Sequence, residues 1–224
     1  MPDAAPLACF DLDGTLVDSR GPFAAALRGA LAEHGLPDRR PEELHRFLGP
    51  PFEHTAATLL TDAGRPADPA AVEALLTSYR ARYARDGIPA TTAVAGIPEA
   101  LDALRADGWR LVVVTSKIRT FATEIVTRIG LADRFDGIHG PRPDERDVAK
   151  ATTLAAVLRA AGDPPAVMIG DRHHDLDAAA TVGVPGVGVT WAGDHGPELR
   201  DAGAVAVLDD PAALPDALAR AIRG

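Results

Sequence analysis

Short apolar segments separated by helix-like stretches constrain the fold of this chain most strongly. Residues typical of helix starts and helix ends bound the intervening stretches. Pro98, for example, begins one such stretch and Gly108 ends it. This alternation predicts an α/β fold with a doubly wound, mainly parallel sheet and helices on both faces. The apolar runs of strand length are 7–12, 109–115, 166–170, 186–190 and 204–208, with a weaker one at 135–139.

One long stretch, from residue 18 to about residue 90, breaks the alternation because it contains only helix-like segments. These segments are 23–33, 41–48 and 69–85. Loops longer than roughly 15 residues are uncommon in compact domains, so the stretch is expected to be an inserted helical domain. The predicted division is a core of residues 1–16 and 92–224 and a helical cap of residues 17–91. Hinges are expected near residues 16–19 and 88–92, with a structural role for Asp18 at the first of them.

Charge and cysteine content exclude several classes of function. The chain has 23 basic and 32 acidic residues, a net charge of −9, which disfavours binding to a nucleic-acid polymer. Cys9 is the only cysteine, which suits a reducing compartment, and its position in an apolar run indicates a buried small side chain. No apolar run approaches the roughly 20 residues of a membrane span, and no signal peptide is recognisable. We therefore expect a cytoplasmic protein without a membrane partner, either a monomer or a homodimer.

Carboxylates follow two of the expected strands. Asp11 and Asp13 end the first apolar run, and Asp171 and Asp175 follow the run that ends at Gly170. Open parallel sheets bind ligands at the carboxyl ends of their strands, so these acids are expected to share one crevice.

Hydroxyl and ammonium groups are expected at the same edge. Thr115 and Ser116 end another apolar run and could bind phosphate oxygens together with nearby backbone amides. Asp147 opens the helix-like segment that precedes the Asp171 strand. Lys150 lies at the start of this segment, from where its long side chain could reach the crevice.

Four motifs, in order and at suitable spacing, give the chain a resemblance to a known family. They are DLDGTLVDS with Asp11 and Asp13, VVVTSK with Thr115, DVAK with Lys150, and IGDRHHD with Asp171 and Asp175. The chain resembles the haloacid dehalogenase superfamily, in its branch with a helical cap, and looks most like the phosphoglycolate phosphatase group.

The resemblance implies a phosphatase that works through a covalent aspartyl-phosphate. Asp11 would be the nucleophile and Asp13 the general acid and base, with Thr115, Ser116 and Lys150 holding the phosphoryl oxygens.

A cation is implied as well, because the carboxylates together with a phosphate dianion carry more negative charge than Lys150 can offset. Mg²⁺ prefers such oxygen ligands. Asp11, the backbone carbonyl of Asp13 and Asp171 would bind it, and Asp175 would hold a bound water.

The expected substrate is a small phosphorylated metabolite such as phosphoglycolate, a nucleoside monophosphate or a sugar phosphate. Two alternatives remain open, a phosphomutase and a non-catalytic regulatory protein on the same scaffold. His173 and His174 are adjacent in sequence, so we expect them to point apart and to make a poor metal pair.

Overall fold

The strands lie where the apolar runs predicted them, and two short strands are added at the expected hinges. The computed structural model describes residues 5–48, 52–145, 148–193 and 195–223. Within these ranges the strands are β1 (Leu7–Phe10), β2 (Val17–Asp18), β3 (Thr92–Ala93), β4 (Arg110–Val114), β5 (Gly137–His139), β6 (Ala166–Gly170), β7 (Gly186–Val189) and β8 (Ala206–Leu208).

Six strands form a single parallel sheet in the order β5-β4-β1-β6-β7-β8. This confirms the predicted doubly wound α/β core. Every residue of β1 is buried, as expected for a central strand covered on both faces. The chain runs from β1 to β4 on one side and later returns to β6 on the other. The carboxyl end of β1 is therefore a topological switch point, where open α/β sheets bind ligands.

The helices of the described residues alternate with the strands of the sheet or lie between β2 and β3. They are α1 (Arg20–Glu33), α2 (Pro41–Leu44), α3 (Phe52–Asp62), α4 (Pro69–Arg82), α5 (Ile88–Ala90), α6 (Ile97–Ala106), α7 (Arg119–Arg128), α8 (Lys150–Ala161), α9 (His173–Val182), α10 (Gly196–Asp201) and α11 (Leu214–Ala221). Residue 147, the expected start of the helix now labelled α8, lies outside the described residues. Among the described residues, none of the helices has both the length and the apolar character that crossing a bilayer requires.

Helices α8 and α9 cover one face of the sheet, where their apolar side chains pack on alternate residues of β1, β4 and β6. Leu154 and Val157 of α8 and Ala178 of α9 belong to this layer. Cys9 lies in the same layer and is fully buried, which confirms the prediction for it. Burial raises the pKa of the Cys9 thiol to about 12, so it is a neutral packing group at physiological pH.

The chain divides into two compact units, residues 1–18 with 92–224, and residues 19–91. The second unit contains α1 to α5 and has its own aromatic core, in which Phe52 stacks on Tyr79 with ring centroids 4.0 Å apart. Asp68 starts α4 by accepting hydrogen bonds from the backbone N–H groups of Ala70 and Ala71. The domain boundaries proposed from the sequence, 16/17 and 91/92, stay a prediction.

The expected hinge residues include an antiparallel ribbon. Val17 pairs with Ala93, and Asp18 pairs with Thr92. The sequence predicted no strand at these positions, because two-residue strands are too short to show a period-2 pattern. Asp18 is therefore part of strand β2, where its backbone pairs with that of Thr92.

Candidate active site

Three buried carboxylates meet at the switch point of the sheet. Asp11 directly follows β1, and Asp171 directly follows the neighbouring β6. The backbone N–H of Asp11 donates to the Ile169 carbonyl at 2.9 Å, which keeps the two strand ends level. Asp175 comes from the first turn of α9, and one ligand atom from each of the three carboxylates lies within 4.8 Å of the others. All three side chains are more than nine-tenths buried.

The first turn of α9 fixes the orientation of Asp175. Its Oδ2 accepts a hydrogen bond from the backbone N–H of Arg172, the residue before the helix, at 3.1 Å. A carboxylate at this position satisfies an otherwise free N–H at the helix start. Its other oxygen, Oδ1, contacts the ammonium of Lys150. Both oxygens of Asp175 are therefore engaged within the protein.

Lys150 joins Asp175 to Asp11. It is the first residue of α8, as predicted, and its Nζ lies 2.9 Å from Asp11 Oδ1. The side chain is only 8% exposed, so the ammonium is withdrawn from solvent. Burial alone would lower the pKa of Lys150, but Asp11 and Asp175 outweigh it and raise that pKa. Lys150 is therefore a permanent cation between two site carboxylates.

One cation does not neutralise this cluster. Burial raises the pKa of Asp11 to about 6, against the opposing effect of Lys150 and with support from Asp175 and Asp13. Burial, followed by the charges of Asp175 and Asp11, also raises the pKa of Asp171 well above its usual value. Asp11 Oδ1 is buried and, among the described residues, has no well-directed hydrogen bond beyond its ionic contact with Lys150. The cluster therefore has unused capacity for a further positive charge.

Two glycines make the close approach of these carboxylates possible. Gly14 has φ +78°, and a Cβ built on it would overlap the Asp171 carboxylate. A Cβ built on Gly170 would overlap the carboxylate of Asp175 in the same way. Side chains at either position would therefore displace an acid of the site.

We expect Gly14→Ala to reduce activity strongly, because the new methyl group must push Asp171 out of place. Gly108→Ala is the matched control, since Gly108 has φ +85° but no atom near the position of its Cβ. Both changes carry the strain of a positive φ, roughly 1 kcal/mol or more. Only the first should lower kcat by more than about tenfold, whereas both should lower the melting temperature. Equal activity losses in the two variants would contradict the steric explanation.

Asp13 lies on the tight turn that follows β1 and forms an ion pair that sequence reasoning missed. Lys117 Nζ is 2.8 Å from Asp13 Oδ2, and both side chains are about 10% exposed. A compositional signal could have identified this residue. Only two of the 23 basic residues of the chain are lysines, Lys117 and Lys150, and both contact site carboxylates.

Thr115 and Ser116 lie on the turn that directly follows β4, the other neighbour of β1. Thr115 is buried, and its Oγ1 accepts a hydrogen bond from the Lys117 backbone N–H at 3.2 Å. Its own N–H donates to the His139 carbonyl at 2.9 Å. Ser116 is half-buried. The structure therefore brings Asp11, Asp171 and Asp175 close together, with Lys150 in contact with Asp11 and Asp175. Thr115 and Ser116 follow the adjacent strand.

The expectation that His173 and His174 point apart is wrong. Their ring centroids are 3.8 Å apart, with the ring planes inclined at 50°. Glu198 of α10 explains the arrangement, because it accepts from the backbone N–H of His173 at 3.0 Å and lies 2.7 Å from its Nδ1. The sequence gives no local sign of this contact, which spans 25 residues.

A family model described as "Haloacid dehalogenase-like hydrolase" matches residues 8–189 of the chain, from β1 to the end of β7. The matched range contains the complete carboxylate cluster and both lysines. The chain belongs to the haloacid dehalogenase-like hydrolase family. Some of its relatives in this family are named phosphatases, in agreement with the family resemblance that the four sequence motifs indicated.

Three relatives illustrate the range of names in the family. A 5'-nucleotidase of Pseudomonas aeruginosa is 35% identical over 206 residues, covering 89% of this chain and 90% of its own. A phosphoglycolate phosphatase of Caulobacter vibrioides is 34% identical over 193 residues, covering 81% and 78%. Tyrosine-protein kinase PtkA of Mycobacterium tuberculosis is 35% identical over 191 residues, covering 84% of this hydrolase. The match spans only 63% of the length of PtkA.

A solved structure agrees with the fold over the whole chain. The crystal structure of a predicted phosphatase from Clostridium acetobutylicum superposes with a TM-score of 0.85 at 26% identity, covering 99% of this chain and 100% of its own. This haloacid dehalogenase-like hydrolase therefore shares its α/β core with that predicted phosphatase.

Proposed function

We propose that the enzyme hydrolyses the phosphate monoester of a small metabolite through an aspartyl-phosphate on Asp11, with Mg²⁺ bound at the carboxylate cluster. The observation that carries this proposal is the clustering of Asp11, Asp171 and Asp175 at the switch point of the sheet, with Lys150 in contact with Asp11 and Asp175. A buried concentration of like charge is costly unless a ligand uses it. Phosphoryl transfer is a reaction that needs such a site, because it depends on charge neutralisation and alignment.

The residues present suit Mg²⁺. The cluster offers oxygen ligands alone, and one of its oxygens, Asp11 Oδ1, lacks a well-directed donor among the described residues. Asp11, Asp171 and the backbone carbonyl of Asp13 would hold the ion directly. Asp175 would act through a bound water, since its two oxygens already contact Lys150 and Arg172. When bound, Mg²⁺ supplies two positive charges that offset those of the carboxylates and the substrate phosphate.

In the first half-reaction, a carboxylate oxygen of Asp11 attacks phosphorus and the ester P–O bond breaks. Asp13 gives its proton to the departing oxygen, so that an alcohol leaves and a carboxylate remains. Lys150, Thr115 and Ser116 hold the phosphoryl oxygens during the transfer. Lys117 Nζ lies 2.8 Å from Oδ2 of Asp13 and stabilises the carboxylate that remains after this proton transfer.

In the second half-reaction, Asp13 takes a proton from a water molecule as the water oxygen attacks phosphorus. The bond between phosphorus and the Asp11 oxygen breaks, which releases inorganic phosphate and restores the Asp11 carboxylate. Asp13 regains its proton in this step, so the enzyme returns to its starting state.

Removal of divalent cations should abolish the phosphatase activity. We expect phosphate release to fall below about 1% of its initial rate in EDTA and to return when excess Mg²⁺ is added. Mg²⁺ should also raise the melting temperature, because an ion that binds only the folded state stabilises it. Ca²⁺ in place of Mg²⁺ serves as a control for nonspecific charge screening and should restore much less activity. Full activity after exhaustive chelation would contradict a metal requirement.

A substrate panel tests the class of ester. The 5'-nucleotidase and phosphoglycolate phosphatase relatives support small soluble esters. Phosphoglycolate, nucleoside monophosphates and hexose phosphates should therefore be compared at equal concentration by kcat/KM for phosphate release. Isomerisation of a hexose phosphate without phosphate release would instead indicate a phosphomutase. Transfer of phosphate from ATP to a tyrosine peptide would indicate an activity matching the name of PtkA.

A further inference from the structure

We propose that His173, His174 and Asp177 form a second metal site, for a zinc-like transition-metal ion, on the exposed side of the first turns of α9. One ligand atom from each of the three residues lies within 4.8 Å of the others. His174 and Asp177 are exposed and His173 is partly exposed, so an ion can reach them from solvent. The proposal concerns binding at these residues and is independent of the reaction at Asp11.

Glu198 orients the ring of His173, one of the three proposed ligands. Its Oε1 lies 2.7 Å from His173 Nδ1, and the same oxygen also accepts from the backbone N–H of that residue. A carboxylate on Nδ1 favours the tautomer with the proton on that nitrogen, which leaves Nε2 with a free lone pair. Metal-binding histidines in proteins commonly have such a carboxylate on the second ring nitrogen. The contact therefore orients the ring and prepares Nε2 as a ligand.

The charge around the cluster also permits a cation. Glu198 Oε1 accepts hydrogen bonds from the His173 backbone N–H at 3.0 Å and from Arg172 Nε at 3.1 Å, which fixes its carboxylate beside the imidazoles. Glu198, Asp177 and Asp175 place negative charges near the imidazoles, against the positive charges of Arg172 and Lys150. A divalent ion would compensate the remaining charge and would gain the three ligand contacts.

The ligand types separate this site from the carboxylate cluster. Two imidazole nitrogens and one carboxylate suit Zn²⁺ and related transition-metal ions, whereas Mg²⁺ prefers oxygen ligands alone. Asp175 lies on the same turn of α9 but is 1% exposed, while Asp177 faces solvent. The helix therefore presents its two sets of ligands to different environments, and one ion cannot serve both.

The test is a titration of the full-length, untagged protein with Zn²⁺ in buffer that holds millimolar Mg²⁺. A polyhistidine tag must be absent because it would bind the same ion. Isothermal titration calorimetry should show one equivalent of Zn²⁺ bound. Co²⁺ in place of Zn²⁺ should give the visible absorption bands of a nitrogen-containing site.

Three variants locate the site. His174→Ala and Asp177→Asn should each weaken Zn²⁺ binding at least tenfold, and Glu198→Gln should weaken it about tenfold through His173. Asp177 is exposed, so its variant should remain folded, as circular dichroism can verify. His45→Ala, directly after α2, and Asp216→Asn, in α11, are matched controls outside α9 and should bind like the parent protein.

Asp171→Asn tells the two sites apart, since it removes a ligand of the carboxylate cluster and should leave Zn²⁺ affinity within about twofold. Loss of Zn²⁺ binding in Asp171→Asn, with His174→Ala and Asp177→Asn unaffected, would overturn the proposal. Absence of any Zn²⁺ binding to the Mg²⁺-saturated parent protein would overturn it as well.

Discussion

Replacing Asp11 with asparagine should lower kcat for phosphate release by at least about 10³-fold while the protein stays folded. The amide has nearly the shape of the carboxylate but cannot form the covalent intermediate, and a 10³-fold loss corresponds to about 4 kcal/mol of transition-state stabilisation. Asparagine also removes one negative charge from a buried cluster in which the pKa of Asp11 is already raised to about 6. Stability should therefore change little. Phosphate release and thermal unfolding of the same preparation measure the two effects.

Asp107→Asn is the matched control, because Asp107 is an exposed residue at the end of α6 in the same unit of the chain. It should match the parent protein in rate and in melting temperature. An Asp11→Asn variant that releases phosphate within tenfold of the parental rate would exclude Asp11 as the nucleophile.

Replacing Lys150 with methionine should impair both activity and stability. Methionine keeps most of the length of the side chain but leaves Asp11 and Asp175 without their shared cation. Loss of one member of a buried ion pair costs about 3–5 kcal/mol, because the remaining charge is left uncompensated. The free energy of unfolding in EDTA should therefore fall by about 3 kcal/mol, and kcat should fall by roughly 10³-fold because a phosphoryl ligand is lost.

Two comparisons make this prediction specific. Arg159→Met changes an exposed cation on the same helix, α8, and should alter stability by less than about 0.5 kcal/mol. Mg²⁺ should stabilise the Lys150→Met protein more than the parent, since the ion then supplies the positive charge that Lys150 no longer provides. Parental stability of Lys150→Met in EDTA would show that Lys150 does not compensate the carboxylates.

The main sheet could be predicted from the sequence because its strands are buried on both faces. Continuous apolar runs such as the one containing β1 are the direct consequence of that burial. The ribbon of β2 and β3 could not be predicted, since each strand has only two residues and no recognisable period.

The acids of the candidate site could be located from the sequence because they directly follow strands or start a helix, and parallel strands end at one edge. The ion pair between Asp13 and Lys117 was missed because it joins two turns that come together only in the folded chain. The arrangement of His173 and His174 was predicted wrongly for a similar reason. Adjacent helical residues are separated by roughly 100° around the axis, but Glu198 on another helix sets the orientation of the His173 ring.

The catalytic roles depend on a covalent phosphoryl group at Asp11, and trapping that group tests them most directly. The enzyme should be mixed with excess substrate and Mg²⁺, quenched in acid within the first turnover, digested and examined by mass spectrometry. We expect the phosphoryl group on the peptide that contains Asp11, and its absence in the Asp11→Asn protein. Phosphate release in the first turnover with no phosphorylated peptide, or with the phosphoryl group on another residue such as His173, would contradict this mechanism.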